Sequence, residues 1–87
     1  MKISIDNFKP NAVEVVIDSG TPQETQILFS YGQPVACFRY NVLYRTQKLW
    51  SKTTSRHINE WLDGEECLSA PQYFFDNLLE NYAQKGD

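Results

Sequence analysis

The chain has few of the residues and patterns from which membrane spans, disulfide scaffolds and metal sites are built. No apolar run is long enough to cross a bilayer, and the first residues, MKISIDNF, lack the apolar stretch of a signal peptide. The two cysteines, Cys37 and Cys67, form no CxxC motif, and His57 is the single histidine. These features predict a reduced protein of the cytoplasm and argue against a structural zinc site.

Charge is distributed unevenly along the 87 residues, although the net charge is only −3. Residues 25–59 contain five basic residues and no Asp or Glu, whereas residues 60–87 contain seven acidic residues and one base, Lys85. The negative total opposes a general affinity for nucleic acid. The asymmetry predicts either a surface that faces an anion or one part of the fold neutralising another.

Short β-branched and alternating segments separated by turn residues dominate the first half of the chain. The turn residues include Gly20, Pro22 and Gly32. This pattern is typical of an antiparallel meander. We predict strands at residues 12–18, 24–31, 34–40 and 42–46, and residues 2–5 alternate as a further short strand would.

The hydrophobic period changes to that of a helix after residue 52. Thr53 or Thr54 would cap a helix that runs through Leu62, and Gly64 would follow its C-terminus. Residues 69–72, SAPQ, resemble a capping box for a second helix that extends to about Tyr82. We therefore predict one α+β domain over residues 1–87, with an antiparallel sheet of three to four strands followed by two helices packed on one face.

Four sequence motifs resemble a family of small phage-encoded proteins of uncharacterised function. They are YGxPVA at 31–36, YRTxKxWS at 44–51, TTSRHINxWL at 53–62 and FFDNL at 74–78. The likeness covers about residues 27–79 and includes no catalytic motif. It implies a viral accessory protein that acts in the cytoplasm of a host bacterium. Small acidic phage proteins of this kind include anti-CRISPR inhibitors, which is an analogy of size and charge.

An acidic cluster between the two predicted helices is the first candidate site. Asp63, Glu65 and Glu66 could dock on a basic groove of a host defence complex, such as a CRISPR effector, with Trp50 as a hydrophobic anchor. Such a protein would inhibit by stoichiometric binding, blocking a surface that binds nucleic acid or recruits a subunit. The alternative interpretation of the same acidic residues is a solvated, solubilising surface.

A stretch of basic and aromatic residues at 39–56 is the second candidate site. Arg45, Lys48, Lys52 and Arg56 could follow a nucleic-acid backbone while aromatic rings stack on bases. The competing interpretation is that the aromatic rings cover the core and the bases neutralise the acidic helices. A third class of function is a structural protein that forms a homodimer.

Catalysis has little support in the sequence. His57 could act as a general base only with a nucleophile and an orienting acid, and no spacing assigns either Ser55 or Cys37 to that role. The simpler expectation is a histidine packed on Trp61 and hydrogen-bonded to the backbone. We predict no enzymatic activity and no cofactor.

Overall fold

A computed structural model describes the backbone of residues 2–85 and the side chains of residues 2–78. The chain is α+β, as predicted, and its strands form a single sheet in sequence order. In chain order the elements are β1 (Ile3–Lys9), β2 (Ala12–Ile17), β3 (Thr25–Ser30), β4 (Gln33–Arg39), β5 (Val42–Thr46), α1 (Lys52–Leu62), β6 (Leu68–Ala70) and α2 (Gln72–Lys85).

The sheet has six strands and is mixed, so the prediction of three to four antiparallel strands was too small. Strands β1 to β5 are antiparallel neighbours, whereas β6 pairs with β5 in parallel through Tyr44–Leu68 and Thr46–Ala70. The parallel pairing follows from α1, which carries the chain back to the end of the sheet where β5 begins. With only three residues followed by Pro71, β6 is too short to give a periodic pattern.

Two tight turns set the register of the central hairpins. Tyr31 and Gly32 join β3 to β4, and Tyr40 and Asn41 join β4 to β5. All four residues have positive φ angles, between 51° and 79°, as type I′ turns require. Such turns match the twist of the flanking strands. They leave Tyr31 and Tyr40 more than half exposed at opposite ends of the sheet.

The two helices cover opposite faces of the sheet, which corrects the prediction that both pack on one face. Paired residues form rows across the strands, and successive rows point to opposite faces. Ile58 and Leu62 of α1 pack with Leu28 and Ala36. The neighbouring row, which includes Ile27, Cys37 and Tyr44, points to the opposite face. There it packs against Phe75 and Leu78 of α2. The sheet is therefore buried on both faces at its centre.

The N-cap of α1 differs from the prediction of Thr53 or Thr54, whereas the helix ends at Leu62 and Gly64 follows it as predicted. Ser51 is the N-cap, and its hydroxyl accepts a hydrogen bond from the Thr54 N–H at 3.2 Å. At the other end, Asp63 and Gly64 both take positive φ angles, of 50° and 78°, which end the helix and turn the chain. The predicted capping box at residues 69–72 is wrong, because Ser69 lies in β6 and α2 begins at Gln72.

Candidate functional site

The fold places the acidic candidates and three of the basic candidates at opposite ends of the sheet. Strands β2 and β4 end, and β3, β5 and β6 begin, at the end where α1 finishes. We call this the acidic end, formed by Glu24, Asp63, Glu65 and Glu66. Helix α1 begins at the opposite, basic end, formed by Lys48, Lys52 and Arg56. The 11 residues of α1 span about 16 Å between them.

No salt bridge joins the acidic end to a described basic residue. Asp63, Glu65 and Glu66 are all exposed. Among residues 2–78, the one salt bridge joins Lys9 and Glu60 at 3.4 Å. No base of the stretch 39–56 forms a salt bridge with a described acidic residue, so the expected neutralisation of the acidic helices by these bases is not seen among residues 2–78. The charges remain available to an outside partner.

A shallow depression of about 330 Å³ with a mixed polar and apolar lining adjoins the acidic loop. Leu68 on its rim is 57% exposed, although it begins a strand. Residues from the β4–β5 turn, β5 and the start of β6 line the depression: Asn41, Val42, Leu43, Glu66, Cys67 and Leu68. Apolar surface beside uncompensated charge is the composition expected of a surface that binds protein.

A second depression of about 370 Å³ at the same end carries Glu24 and Tyr40. The Gly20 N–H and the Gln26 side-chain amide both donate hydrogen bonds to the Glu24 carboxylate, at 2.9 and 3.0 Å. These bonds lower the pKa of Glu24 and keep it ionised, and the bond from Gly20 has the largest effect. Tyr40 is 62% exposed, and the guanidinium of Arg39 lies 5.0 Å from its ring centroid. Tyr40 is thus an exposed aromatic residue at the acidic end.

Trp50 does not lie with the acidic residues to which the sequence analysis joined it. It precedes α1, whereas Asp63, Glu65 and Glu66 follow that helix. The half-buried indole packs against the core under α1, and its N–H donates to Gln72 at 3.2 Å. The Lys48 ammonium lies 4.1 Å from the ring centroid. Trp50 therefore connects the basic end to α2, and Tyr40 and Leu68 occupy the place of an apolar anchor beside the acidic loop.

The basic candidates are brought together only in part. Lys52 and Arg56 lie one turn apart on the exposed side of α1, and Lys48 is exposed in the loop before it. Arg45 is half-buried, and its guanidinium donates to the Asn59 side chain at 3.3 Å. Three of the four predicted residues thus share one accessible surface.

His57 belongs to a buried polar cluster that the sequence did not reveal. It is 5% exposed, and its Nδ1 lies 2.9 Å from the hydroxyl of Ser30, which also contacts the Thr54 hydroxyl at 2.9 Å. The Tyr31 ring lies 6.1 Å from the imidazole. The partner of His57 is thus a side chain 27 residues away on β3, not the backbone. No local pattern could have indicated it.

Neither cysteine is placed for chemistry with His57. Cys37 is fully buried on the face under α2, whereas His57 lies on the face under α1. Burial raises the pKa of the Cys37 thiol to about 12, so it stays protonated. Both cysteines are free thiols.

Residues 3–77 match the model of a family of unknown function, DUF8033. The chain belongs to this family. The match covers all six strands of the sheet, α1 and the first part of α2, so the fold described here is that of the DUF8033 domain. No curated protein and no solved structure matches the chain.

Two further observations concern the described residues of this DUF8033 protein. None of its helices over residues 2–85 is long and apolar enough to cross a membrane. Among residues 2–78, whose side chains are described, no group of three or more His, Cys, Asp or Glu residues is placed to hold a metal ion.

Proposed function

We propose that the protein is a non-enzymatic binding protein that docks on a basic protein surface through its acidic end. The observation that supports this most is the exposure of Asp63, Glu65 and Glu66 with no salt bridge from any described basic side chain. Exposed Tyr40 and Leu68 supply apolar contact area beside the charges. Charge complementarity would steer the partner and set its orientation, while the apolar residues would supply affinity.

The partner class implied by the phage resemblance extends this proposal. A surface that binds nucleic acid is basic because it neutralises phosphates, so the acidic end has the sign of charge to attract it. In this extension the protein acts in a bacterial cytoplasm as a stoichiometric inhibitor, such as an anti-CRISPR protein, and occludes that surface of a host defence complex. The extension depends on the sequence resemblance, whereas the choice of surface depends on the acidic end.

Glu65→Lys is expected to weaken partner binding about tenfold or more, because it places a cation against a basic surface. The tagged protein would be used to capture partners from a bacterial lysate with and without nuclease, and affinity for the recovered partner would then be measured. The double variant Gln33→Lys with Gln47→Lys is the control, since it changes the net charge by the same two units away from the acidic end. An equal loss of affinity in Glu65→Lys and in the control double variant would contradict the proposal. So would capture of partners that disappears when nuclease is added.

A second function, binding of single-stranded nucleic acid by the basic end, is favoured by one observation. Lys48, Lys52 and Arg56 are exposed together and none is ion-paired among the described residues. Tyr73, at the start of α2, is 68% exposed at the same end of the sheet and could stack on a base.

Under this second function, Arg56→Ala should weaken oligonucleotide binding and reduce the slope of log affinity against log salt by about one. Arg45→Ala should have a smaller effect, because Asn59 already engages that guanidinium. Fluorescence anisotropy with short single-stranded DNA and RNA measures both effects. Absence of binding at low salt would exclude this function and leave the acidic end as the binding surface.

A further inference from the structure

Strand β1 forms one edge of the sheet and offers its backbone for further pairing. Within residues 2–85, no strand pairs with its outer side. Edge strands of seven residues usually carry features that prevent pairing with another chain, because their unpaired N–H and C=O groups are a template for it. Here Ile3 and Ile5 are 54% and 67% exposed, so the edge also presents apolar side chains.

The hydrogen bonds of β1 show which of its residues face outward. The Asp18 N–H donates to the Lys2 carbonyl at 2.8 Å, so the backbone groups of Lys2 point toward β2. Because this direction alternates along a strand, Ser4 and Asp6 also bond to β2. The N–H and C=O groups of Ile3, Ile5 and Asn7 therefore point away from the sheet. Regular pairing ends after Asn7, where the register between β1 and β2 shifts.

We infer that β1 pairs with β1 of a second copy of the chain, antiparallel and centred on Ser4. In this register a two-fold axis passes between the two copies of Ser4. Ile3 of each copy lies opposite Ile5 of the other, which gives two such pairs. Both are outward-facing residues, so each pair forms two backbone hydrogen bonds. The exposed isoleucine side chains of both copies then cover one another on the face under α2.

Charge selects this register over its neighbours. Centring on Ser4 places Lys2 opposite Asp6 of the second copy, twice, on the other face of the joined sheet. Centring on Asp6 would bring two carboxylates directly together, and centring on Ile5 would place Ile3 against polar Asn7. Only the Ser4 register matches both the apolar and the charged residues. The inference concerns the edge of β1 and does not depend on the proposed function of the acidic end.

Sedimentation over a concentration series tests the pairing through its charges. Lys2→Glu and Asp6→Lys are each expected to raise the dimer dissociation constant about tenfold, because each replaces attraction by repulsion at two symmetric positions. The double variant, with the charges exchanged, should restore wild-type affinity. Circular dichroism of each variant would check that it is folded. A wild-type protein that stays monomeric throughout the series, or a dimer insensitive to both single changes, would overturn the inference.

A cysteine placed on the two-fold axis tests the register directly. In a Cys67→Ser background, Ser4→Cys should form a disulfide between the two chains when oxidised glutathione is added as the oxidant. The two copies of residue 4 would form a non-hydrogen-bonded antiparallel pair, whose Cα atoms lie about 4.5 Å apart, within the range that a disulfide spans. Asp6→Cys is the matched control, since the two copies of residue 6 would lie about 13 Å apart along the strands. Equal cross-linking of both variants, or none of Ser4→Cys, would show that β1 does not pair in this register.

Discussion

Replacing Gln72 with alanine is expected to lower the free energy of unfolding by about 2–4 kcal/mol. Four hydrogen bonds converge on this one side chain at the start of α2. Its Oε1 accepts from the Thr46 hydroxyl at 2.8 Å and the Trp50 indole at 3.2 Å. Its Nε2 donates to the Pro34 carbonyl at 2.7 Å and the Asp76 carboxylate at 3.1 Å. All the hydrogen-bonding capacity of the amide is used, and it links β4, β5, the loop before α1, and α2.

The size of this loss comes from the groups that would be left without partners. Pro34 is buried, and a buried carbonyl that loses its donor costs about 1–3 kcal/mol. Gln72→Glu should be nearly as harmful, because a carboxylate can still accept from Trp50 but cannot donate to Pro34. Urea denaturation followed by circular dichroism measures the change. Gln47→Ala, at an exposed glutamine nearby, is the control and should stay within about 0.5 kcal/mol of wild type. A similarly small loss for Gln72→Ala would contradict this account.

The sequence predicted those strands whose pattern is local. The bounds of β5 and the main extents of β2, β3 and β4 follow from alternating β-branched and apolar residues between turns. The sequence did not predict β6, because three residues cannot show a period and because parallel pairing depends on where α1 returns the chain. Helix placement on two faces was also missed. The uninterrupted apolar run from Pro34 to Phe38 was the sign in the sequence of a sheet covered on both sides, and the structure buries its residues from Pro34 to Cys37.

The same distinction applies to the candidate site: its loop residues follow from local sequence, whereas the placement of residues distant in sequence does not. The charge asymmetry of the sequence grouped Asp63 with Glu65 and Glu66, and all three are exposed in one loop, so this grouping needed only local information. It joined Trp50 to them wrongly, since no local pattern indicates that a helix separates the two. The contact between Ser30 and His57 was equally beyond reach, because it depends on the packing of α1 against β3. The sequence indicated residues that are neighbours along the chain. It did not indicate which residues distant in sequence come together in the fold.

Phe75→Ala is expected to cost about 3–5 kcal/mol of stability, the loss typical of removing a large ring from a packed core. Phe75 is fully buried under α2, and the Phe74 ring meets it edge-on with centroids 5.1 Å apart. A domain of this size has a free energy of unfolding of about 5–15 kcal/mol, so the variant should lose a large fraction of its stability and unfold at a clearly lower temperature and denaturant concentration. Thermal and urea denaturation measure the loss. Tyr73→Ala, two residues away and 68% exposed, is the control and should change stability by no more than about 0.5 kcal/mol.

A milder pair of substitutions extends this prediction to the two-sided core. Ile58 belongs to the cluster under α1 and Phe75 to the cluster under α2, so the sheet separates the two side chains. The stability losses of Ile58→Val and Phe75→Leu should therefore add to within about 0.5 kcal/mol in the double variant. Phe75→Leu combined with Ile27→Val, within one cluster, should deviate from additivity because the two sites share neighbours. If both helices packed on one face, Ile58 and Phe75 would share a core, and their double-mutant cycle would show coupling instead.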